Sequence, residues 1–164
     1  MDLRDLKEFI KDSLGYIIVG FIVFLVAVYI ISFQQVSGPS MKPTYNSRDI
    51  LLLNKTHYIF FEPKRFDVVA AESGSAVLVK RVIGLPGEKI EYKNNILYVN
   101  GDPVEESFNI EGETKDFSTD VIPEGKYFLI GDNRSKSIDS RNEEIGLISK
   151  KDLIGKVMFR IWKG

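Results

Sequence analysis

The distribution of apolar and polar residues divides the chain into two parts. Between residues 13 and 41 there is no charged residue, and residues 14–33 form 20 apolar positions in which Ser32 is the only plainly polar side chain. At about 1.5 Å rise per residue, this length matches a bilayer core of roughly 30 Å. Because a buried core helix would carry a polar stripe, the pattern predicts a transmembrane helix over residues 14–33.

A cleaved signal peptide is the alternative explanation of this run. Such peptides have an apolar region of about 7–15 residues, followed by small residues at the cut. The present run is longer, and the best small-residue match, residues 36–38, would place Pro39 directly after the cut. A retained membrane anchor is therefore the favoured interpretation.

Basic residues on the two sides of the run indicate its orientation. Arg4, Lys7 and Lys11 precede it, and only Lys42 and Arg48 follow within about 20 residues. The positive-inside rule then predicts residues 1–13 as a short cytoplasmic segment. Residues 34–164 would form an extracytoplasmic domain, rich in β-structure.

Beyond residue 48, short apolar runs alternate with turn signals. Asn94-Asn95 predicts a hairpin, and Ser149 with Asp152 three residues later predicts a capped helical turn. Residues 105–120, rich in Glu, Ser, Thr and Asp, are expected to form a surface loop of variable order. Strands are predicted over 49–53, 66–71, 76–83, 88–92, 96–99, 126–130 and 156–162. The fold class is therefore mainly β, with one N-terminal transmembrane helix followed by an all-β domain.

Composition removes several classes of function. The net charge is −1, and after the first 33 residues nineteen basic residues balance nineteen acidic ones, which gives no electrostatic basis for binding nucleic acid. The chain has no cysteine and one histidine, so a thiol nucleophile and a metal site built from several His or Cys ligands are excluded. His57 has no obvious acidic partner nearby in sequence for a Ser-His-Asp triad. No cofactor or metal is predicted.

A lysine is what remains to activate a hydroxyl group. Ser40 lies in SGPSMKP, just beyond the apolar run, and Lys80 lies in AVLVKRVIG, where strand alternation places Lys80 and Arg81 on opposite faces. A lysine acts as a base only when its neutral amine is populated near neutral pH, which burial promotes. The alternative is a lysine whose stem lies on the sheet and whose ammonium reaches solvent.

Residues 131–144, GDNRSKSIDSRNEE, form a second concentration of polar side chains. A calcium loop would need glycine at the sixth position counted from Asp132, where this chain has Ser137. A solvated turn is the plain alternative. Small hydroxyls beside opposite charges are also typical of a hydrogen-bonded scaffold behind an active site.

Together, SGPSMKPT, KRVIGLPGE and GDNRSKSIDSR, in this order behind an apolar run, resemble the bacterial type I signal peptidases. RFDVVA and DLIGKVMFRIW match further strands of that family, and the single span is similar to its compact Gram-positive form. The resemblance covers the chain from the span to its C-terminus. It implies the catalytic β fold of the signal-peptidase type. It also implies a membrane-anchored serine endopeptidase that removes signal peptides from secreted preproteins at the outer face of the cytoplasmic membrane.

The resemblance also implies residue roles. Ser40 is the expected nucleophile and Lys80 the expected general base. The expected supporting residues are Ser137, which would hydrogen-bond the lysine amine, Asp132, which would pair with Arg81, and Asp139 and Arg141, which would buttress the site. The backbone N–H of Ser40 would serve the oxyanion hole. Gly38 stands where some members carry a serine that donates a second hydrogen bond, so that second donor stays unassigned.

The expected partners are secretory preproteins with small residues before the cut, and the lipid bilayer; no obligate protein partner is inferred. Phe60, Phe61 and Trp162 either reach the bilayer interface or pack in the core. Two other functions stay open at this point. One is a self-cleaving Ser/Lys regulator, which should be soluble, and the other is a membrane-tethered β-module without catalytic activity.

Overall fold

The computed structural model describes residues 3–164, without the side chains of residues 3–6 and 9. Met1 and Asp2, the start of the predicted 1–13 segment, lie outside the described residues. Two helices, α1 (Leu3–Tyr29) and α2 (His57–Phe60), and a 3₁₀ turn (Lys150–Asp152) accompany the strands. The strands are β1 (Ile31–Gln35), β2 (Ile50–Asn54), β3 (Val68–Ser73), β4 (Ala76–Gly84), β5 (Ile90–Lys93), β6 (Ile96–Val99), β7 (Asp102–Val104), β8 (Phe117–Ser118), β9 (Lys126–Ile130), β10 (Ile148–Ser149) and β11 (Leu153–Trp162). The predicted class, a mainly β protein behind one N-terminal apolar helix, is confirmed.

Helix α1 ends earlier than the sequence predicts. Ile10–Tyr29 is long and apolar enough to cross a membrane, and none of it is buried against the domain. The expected end at residue 33 is wrong, because β1 begins at Ile31 and pairs with β2. Lys55 satisfies the end of α1 by donating from Nζ to the carbonyl of Val28 at 2.6 Å and from its backbone N–H to that of Ile30 at 2.8 Å. Apolar composition alone cannot locate this helix-to-strand change.

Two antiparallel sheets form the domain. The larger has the strand order β1-β2-β11-β3-β4-β9-β10, and the smaller has the order β7-β6-β5-β8. Strand β4 pairs with β9 so that Arg81 lies opposite Ile130. This pairing brings the polar segment that follows β9 to the strand that carries Lys80, although about 50 positions separate the two in sequence.

Each of the seven predicted strands overlaps a strand of the structure. The Asn94-Asn95 hairpin is confirmed between β5 and β6, and both residues have positive φ (51° and 64°), as a tight two-residue turn requires. The helical turn after Ser149 exists, but the predicted cap is wrong, since the Ser149 hydroxyl instead accepts a hydrogen bond from Lys126 Nζ at 2.6 Å. Strands β1, β7, β8 and β10 and helix α2 were not predicted; apart from β1, these elements have two to four residues.

The expected variable loop at residues 105–120 is also wrong in part. It contains β8, and Glu111 forms a parallel bridge with Asn133. The backbone N–H of Glu111 donates to the carbonyl of Asp132 at 3.0 Å, and that of Arg134 donates to the carbonyl of Glu111 at 2.8 Å. Polar composition does not show such long-range backbone pairing, so the sequence could not reveal this order.

The hydrophobic core holds together the two segments that carry Ser40 and Lys80. Met41 and Val79, the neighbours of Ser40 and Lys80, belong to one buried cluster with Val36, Leu51, Leu53, Val68, Ala70 and Val157. A second cluster joins the two sheets around Ile83, Ile90 and Tyr92. Because interiors are closely packed, the first cluster fixes the position of Ser40 relative to Lys80.

Candidate active site

Ser40 lies in a tight turn just beyond the end of β1. Gly38 has a φ of +78°, in the left-handed region that glycine adopts without steric cost. The N–H of Lys42 donates to the carbonyl of Pro39 at 3.1 Å, and the N–H of Tyr45 donates to that of Met41 at 2.8 Å. Met41 is fully buried, whereas Ser40 is only partly so. The turn is therefore anchored from below and presents the Ser40 hydroxyl at the surface of the domain.

Lys80 reaches this hydroxyl from the middle of β4. Its Nζ donates a hydrogen bond to Ser40 Oγ at 2.7 Å. Only 3% of Lys80 is exposed to solvent, so its ammonium does not extend into water. The structure thus brings together the two residues that the sequence singled out for nucleophile and base.

Burial sets the electrostatics of Lys80. Desolvation lowers the pKa of its amine from 10.5 to about 8, because a buried ammonium loses its hydration. The negative charge of Asp139 opposes this pKa shift, the positive charge of Arg141 supports it, and Asp132 opposes it again. Desolvation is the largest contribution, so the neutral amine becomes populated near pH 8 instead of near pH 10.5.

Arg81, on the opposite side of β4, has a complete set of partners. Its Nε donates to Asp132 Oδ1 at 2.8 Å and its Nη2 to Asp132 Oδ2 at 2.6 Å. Its Nη1 donates to the carbonyl of Phe66 at 3.0 Å, and the guanidinium lies 3.9 Å from the ring centre of Phe108. Thr44, which no sequence signal identified, donates to Asp132 Oδ2 at 2.5 Å. The predicted Asp132–Arg81 pair is therefore formed, and it ties β4 to the segment after β9.

That segment, residues 131–142, is called the site loop below. Asp139 is buried and accepts from the N–H of Gly131 at 3.0 Å and from Arg141 Nε and Nη2, both at 2.8 Å. Although burial alone raises the pKa of Asp139, these donors together hold its pKa below the usual value. The site loop is thus closed on itself by an ionised carboxylate, which rules out a simple solvated turn.

Asn133 connects the site loop to the Ser40 turn. Its backbone N–H donates to the carbonyl of Ser40 at 2.9 Å, and its Oδ1 accepts from the N–H of Lys136 at 3.1 Å. Asn133 was not singled out by the sequence. Its only signal is its place within the polar segment, directly after Asp132.

Ser137 lies beside the same turn but does not make the expected contact. Its Oγ is buried and has no hydrogen bond of good geometry among the described residues, although it lies close enough to Asp139 to help lower the pKa of that carboxyl. A Cβ on Gly131 would collide with both this hydroxyl and the carbonyl of Ser40, so glycine allows the two serines to approach each other there. The predicted hydrogen bond between Ser137 and the amine of Lys80 is not formed; Lys80 Nζ donates to Ser40 Oγ.

Comparison with known proteins shows which family the chain resembles. A family model described as "Signal peptidase, peptidase S26" matches residues 6–162. A "Signal peptidase I" of Bacillus caldolyticus is 38% identical, with 86% of this chain and 85% of that protein covered. A "Signal peptidase IB" of Staphylococcus aureus (strain COL) is 34% identical, with 95% and 91% covered. The crystal structure of a signal peptidase I from Enterococcus faecalis V583 is 33% identical, has a TM-score of 0.53, and covers 60% of this chain and 98% of that one.

Proposed function

This chain belongs to the signal peptidase family, peptidase S26, and we propose that it cleaves its substrates with Ser40 as nucleophile and Lys80 as general base. Its function is accordingly that of a signal peptidase I, a protease. The observation that carries the proposed mechanism is the 2.7 Å contact between Lys80 Nζ and Ser40 Oγ, in which the lysine is only 3% exposed. The self-cleaving regulator and the non-enzymatic module have no comparable support.

The proposed reaction proceeds in two halves. Neutral Lys80 accepts the proton of the Ser40 hydroxyl while Oγ attacks the scissile carbonyl, and the resulting ammonium returns that proton to the departing amine. Neutral Lys80 then accepts a proton from the water that attacks the acyl-enzyme ester, and the resulting ammonium returns that proton to Ser40 Oγ as the acid product leaves. The N–H of Ser40 donates to no acceptor among the described residues, which leaves it available to the developing oxyanion.

The supporting residues act on the geometry of this pair. Asp132 and Arg81 hold β4 against the site loop, and Asp139 with Arg141 fixes the course of that loop. Ser137 fills the space beside the carbonyl of Ser40. A second oxyanion donor has no support at Gly38, which lacks a side chain and whose N–H already donates to Ser47 Oγ at 3.3 Å.

We infer that the substrate is a secreted preprotein that binds as an added β-strand. Strand β9 pairs with β4 only from Arg81 onward, so the outer backbone edge of residues 76–80 has no partner strand within residues 3–164. An extended peptide can complete such an edge with main-chain hydrogen bonds, while pockets select alternate side chains. Small residues at the first and third positions before the cut would suit a closely packed site.

The cleavage experiment tests the function directly. Detergent-solubilised protein is incubated with a preprotein, and the products are mapped by mass spectrometry. We expect one cut, after a small-x-small sequence that follows the apolar segment of the signal peptide. A purified preparation that leaves several such preproteins intact, or that cuts with no preference for small residues, would refute the proposal.

We further propose that residues 34–164 lie outside the cytoplasm and the N-terminus within it. The basic residues before the apolar run support this orientation. Phe60, Phe61 and Trp162 are 76%, 58% and 65% exposed, so core packing does not explain them, and the bilayer interface to which α1 leads is the proposed partner.

A labelling experiment checks the orientation. The chain has no cysteine, so single variants Glu105→Cys and Lys7→Cys each offer one thiol at an exposed position. In intact cells, a membrane-impermeant maleimide should label the Glu105→Cys variant, and it should label the Lys7→Cys variant only after permeabilisation. The opposite pattern would invert the proposed topology.

A further inference from the structure

Residues 106–114, here called the strap, lie against the site loop on the side of the smaller sheet. The strap connects β7 to β8, and the sequence had suggested only a surface loop there. At its far end the N–H of Thr114 donates to Asn95 Oδ1, in the β5–β6 hairpin, at 2.8 Å. Glu111 pairs by two backbone hydrogen bonds with the residues on either side of Asn133. The strap is therefore fastened both to the smaller sheet and to the site loop.

Its strongest contact is an ion pair inside the protein. Arg134 Nη2 donates to Glu106 Oε1 at 2.5 Å, and the side chains of Arg134 and Glu106 are only 1% and 8% exposed. Arg134 Nη1 donates to the hydroxyl of Tyr92 at 2.8 Å and to Thr114 Oγ1 at 2.9 Å. The hydroxyl of Tyr92 in turn donates to Glu106 Oε1 at 2.7 Å. Glu106 thus supplies the negative charge that compensates the buried guanidinium.

Arg134 transmits this constraint to the Ser40–Lys80 pair by two routes. Through its backbone it follows Asn133, whose N–H holds the carbonyl of Ser40 at 2.9 Å. Through its carbonyl it accepts from Arg141 Nη1 at 2.9 Å, and Arg141 pairs with Asp139. Both routes are short and pass only through residues of the site loop.

We propose that Glu106 is a positioning residue for the reaction, which acts through Arg134 to hold the site loop against Ser40 and Lys80. The inference rests on the proposed function and extends it to a residue outside the three motifs that resemble the family. Removing one partner of a buried ion pair leaves an uncompensated charge, which the structure relieves by moving or by admitting water. Either response would loosen the site loop and hydrate the lysine.

The test compares Glu106→Gln with Glu105→Gln, a neighbouring exposed glutamate. For Glu106→Gln at pH 7.5 we expect kcat to fall about tenfold, with KM changed by less than about twofold, because positioning affects the reaction step more than binding. The rising limb of the pH–rate profile should move to higher pH, since water would reach Lys80 among the charged groups that face it, Asp132, Asp139 and Arg141. Glu105→Gln should leave kcat, KM and the rising limb of the pH–rate profile unchanged.

Two further measurements separate positioning from folding. Thr114→Val removes one acceptor of Arg134 without removing charge, and should give a smaller shift in the same direction. The titration of Lys80 itself can be followed by ¹³C NMR of labelled lysine, with its signal assigned by its loss in Lys80→Met. A raised titration midpoint of Lys80 in Glu106→Gln supports the proposal even if the chain cleaves no preprotein. Absence of cleavage would instead refute the proposed function. The proposal would be overturned if Glu106→Gln melted at a lower temperature while its kcat, the rising limb of its pH–rate profile and the midpoint of Lys80 all stayed unchanged. If Glu106→Gln fails to fold, a Thr114→Val variant with unchanged kcat and pH–rate profile would overturn the proposal instead.

Discussion

Replacing Lys80 by Met, or Ser40 by Ala, is expected to lower kcat for preprotein cleavage by about 10⁴-fold or more, as is typical when one member of a catalytic unit is removed. Without the amine, no group at 2.7 Å takes the proton of Ser40. Without the hydroxyl, there is no nucleophile for Lys80 to activate. The two losses should not add, because each single change already disables the same step. Steady-state cleavage by the two single variants and the double variant checks this.

The chain contains a matched control for this prediction. Lys126 Nζ donates to Ser149 Oγ at 2.6 Å, which is a second lysine–serine pair on strands of the same sheet. Lys126→Met and Ser149→Ala should retain near-normal cleavage, since a close contact alone does not create a site. Cleavage by Lys80→Met at more than about a hundredth of the wild-type rate would contradict the assignment, because base catalysis contributes about 10²–10⁴-fold.

A measurement of folding stability should show that the Lys80→Met variant loses activity without losing its folded structure. The pKa of Lys80 falls from 10.5 to about 8 on folding, which corresponds to about 3 kcal/mol at 1.36 kcal/mol per unit. The unfolded chain binds more protons between these values, so wild-type stability rises with pH in that window and bears the full penalty below pH 8. The Lys80→Met variant carries no such penalty, and the lost hydrogen bond is worth only about 1 kcal/mol. The inactive variant should therefore melt at a higher temperature at pH 7.

The second large effect is expected in the pH dependence of the wild-type enzyme. Because the reaction needs the neutral amine, kcat/KM should rise about tenfold per pH unit from pH 6 to about 8 and then level off. The midpoint should lie near the pKa of about 8 that burial gives Lys80. Initial rates in a series of buffers at constant ionic strength measure this profile.

The profile also distinguishes lysine from other bases. An ordinary, exposed lysine would place the midpoint near 10.5. A carboxylate base would give a rate that is already maximal at pH 6. A flat pH–rate profile from pH 6 to 10 would therefore exclude the amine as base. A profile that rises with a midpoint near pH 8 agrees with a lysine that is buried away from water.

Much of the fold followed from local patterns. The charge-free run predicted the long helix, and period-two alternation predicted the main strands, because both depend on which neighbouring side chains avoid water. The end of α1 was missed because apolar residues suit both a membrane-spanning helix and a strand that pairs in a sheet. The order of residues 105–120 was missed because it depends on Glu106 and Glu111 meeting residues more than twenty positions away.

The site shows the same division. Local alternation placed Lys80 and Arg81 on opposite faces of β4 but did not decide which of the two charges lacks a counterion. The tertiary structure decides it, since β9 brings Asp132 to Arg81 in a bidentate pair and leaves Lys80 with Ser40. The hydrogen bond between Ser137 and Lys80, expected by resemblance, is not formed in the structure.

By itself, the sequence determined that this protein has one apolar helix, a β domain and three motifs that supply a serine, a lysine and a polar loop. Only the tertiary structure decided that Lys80 is buried away from water, that it contacts Ser40, and that the strap holds the site loop in place beside these two residues. The physical reason is the range of the forces concerned. Secondary structure reflects contacts between sequence neighbours, whereas the pKa of Lys80 depends on the exclusion of water by residues from strands that meet only when the chain is folded.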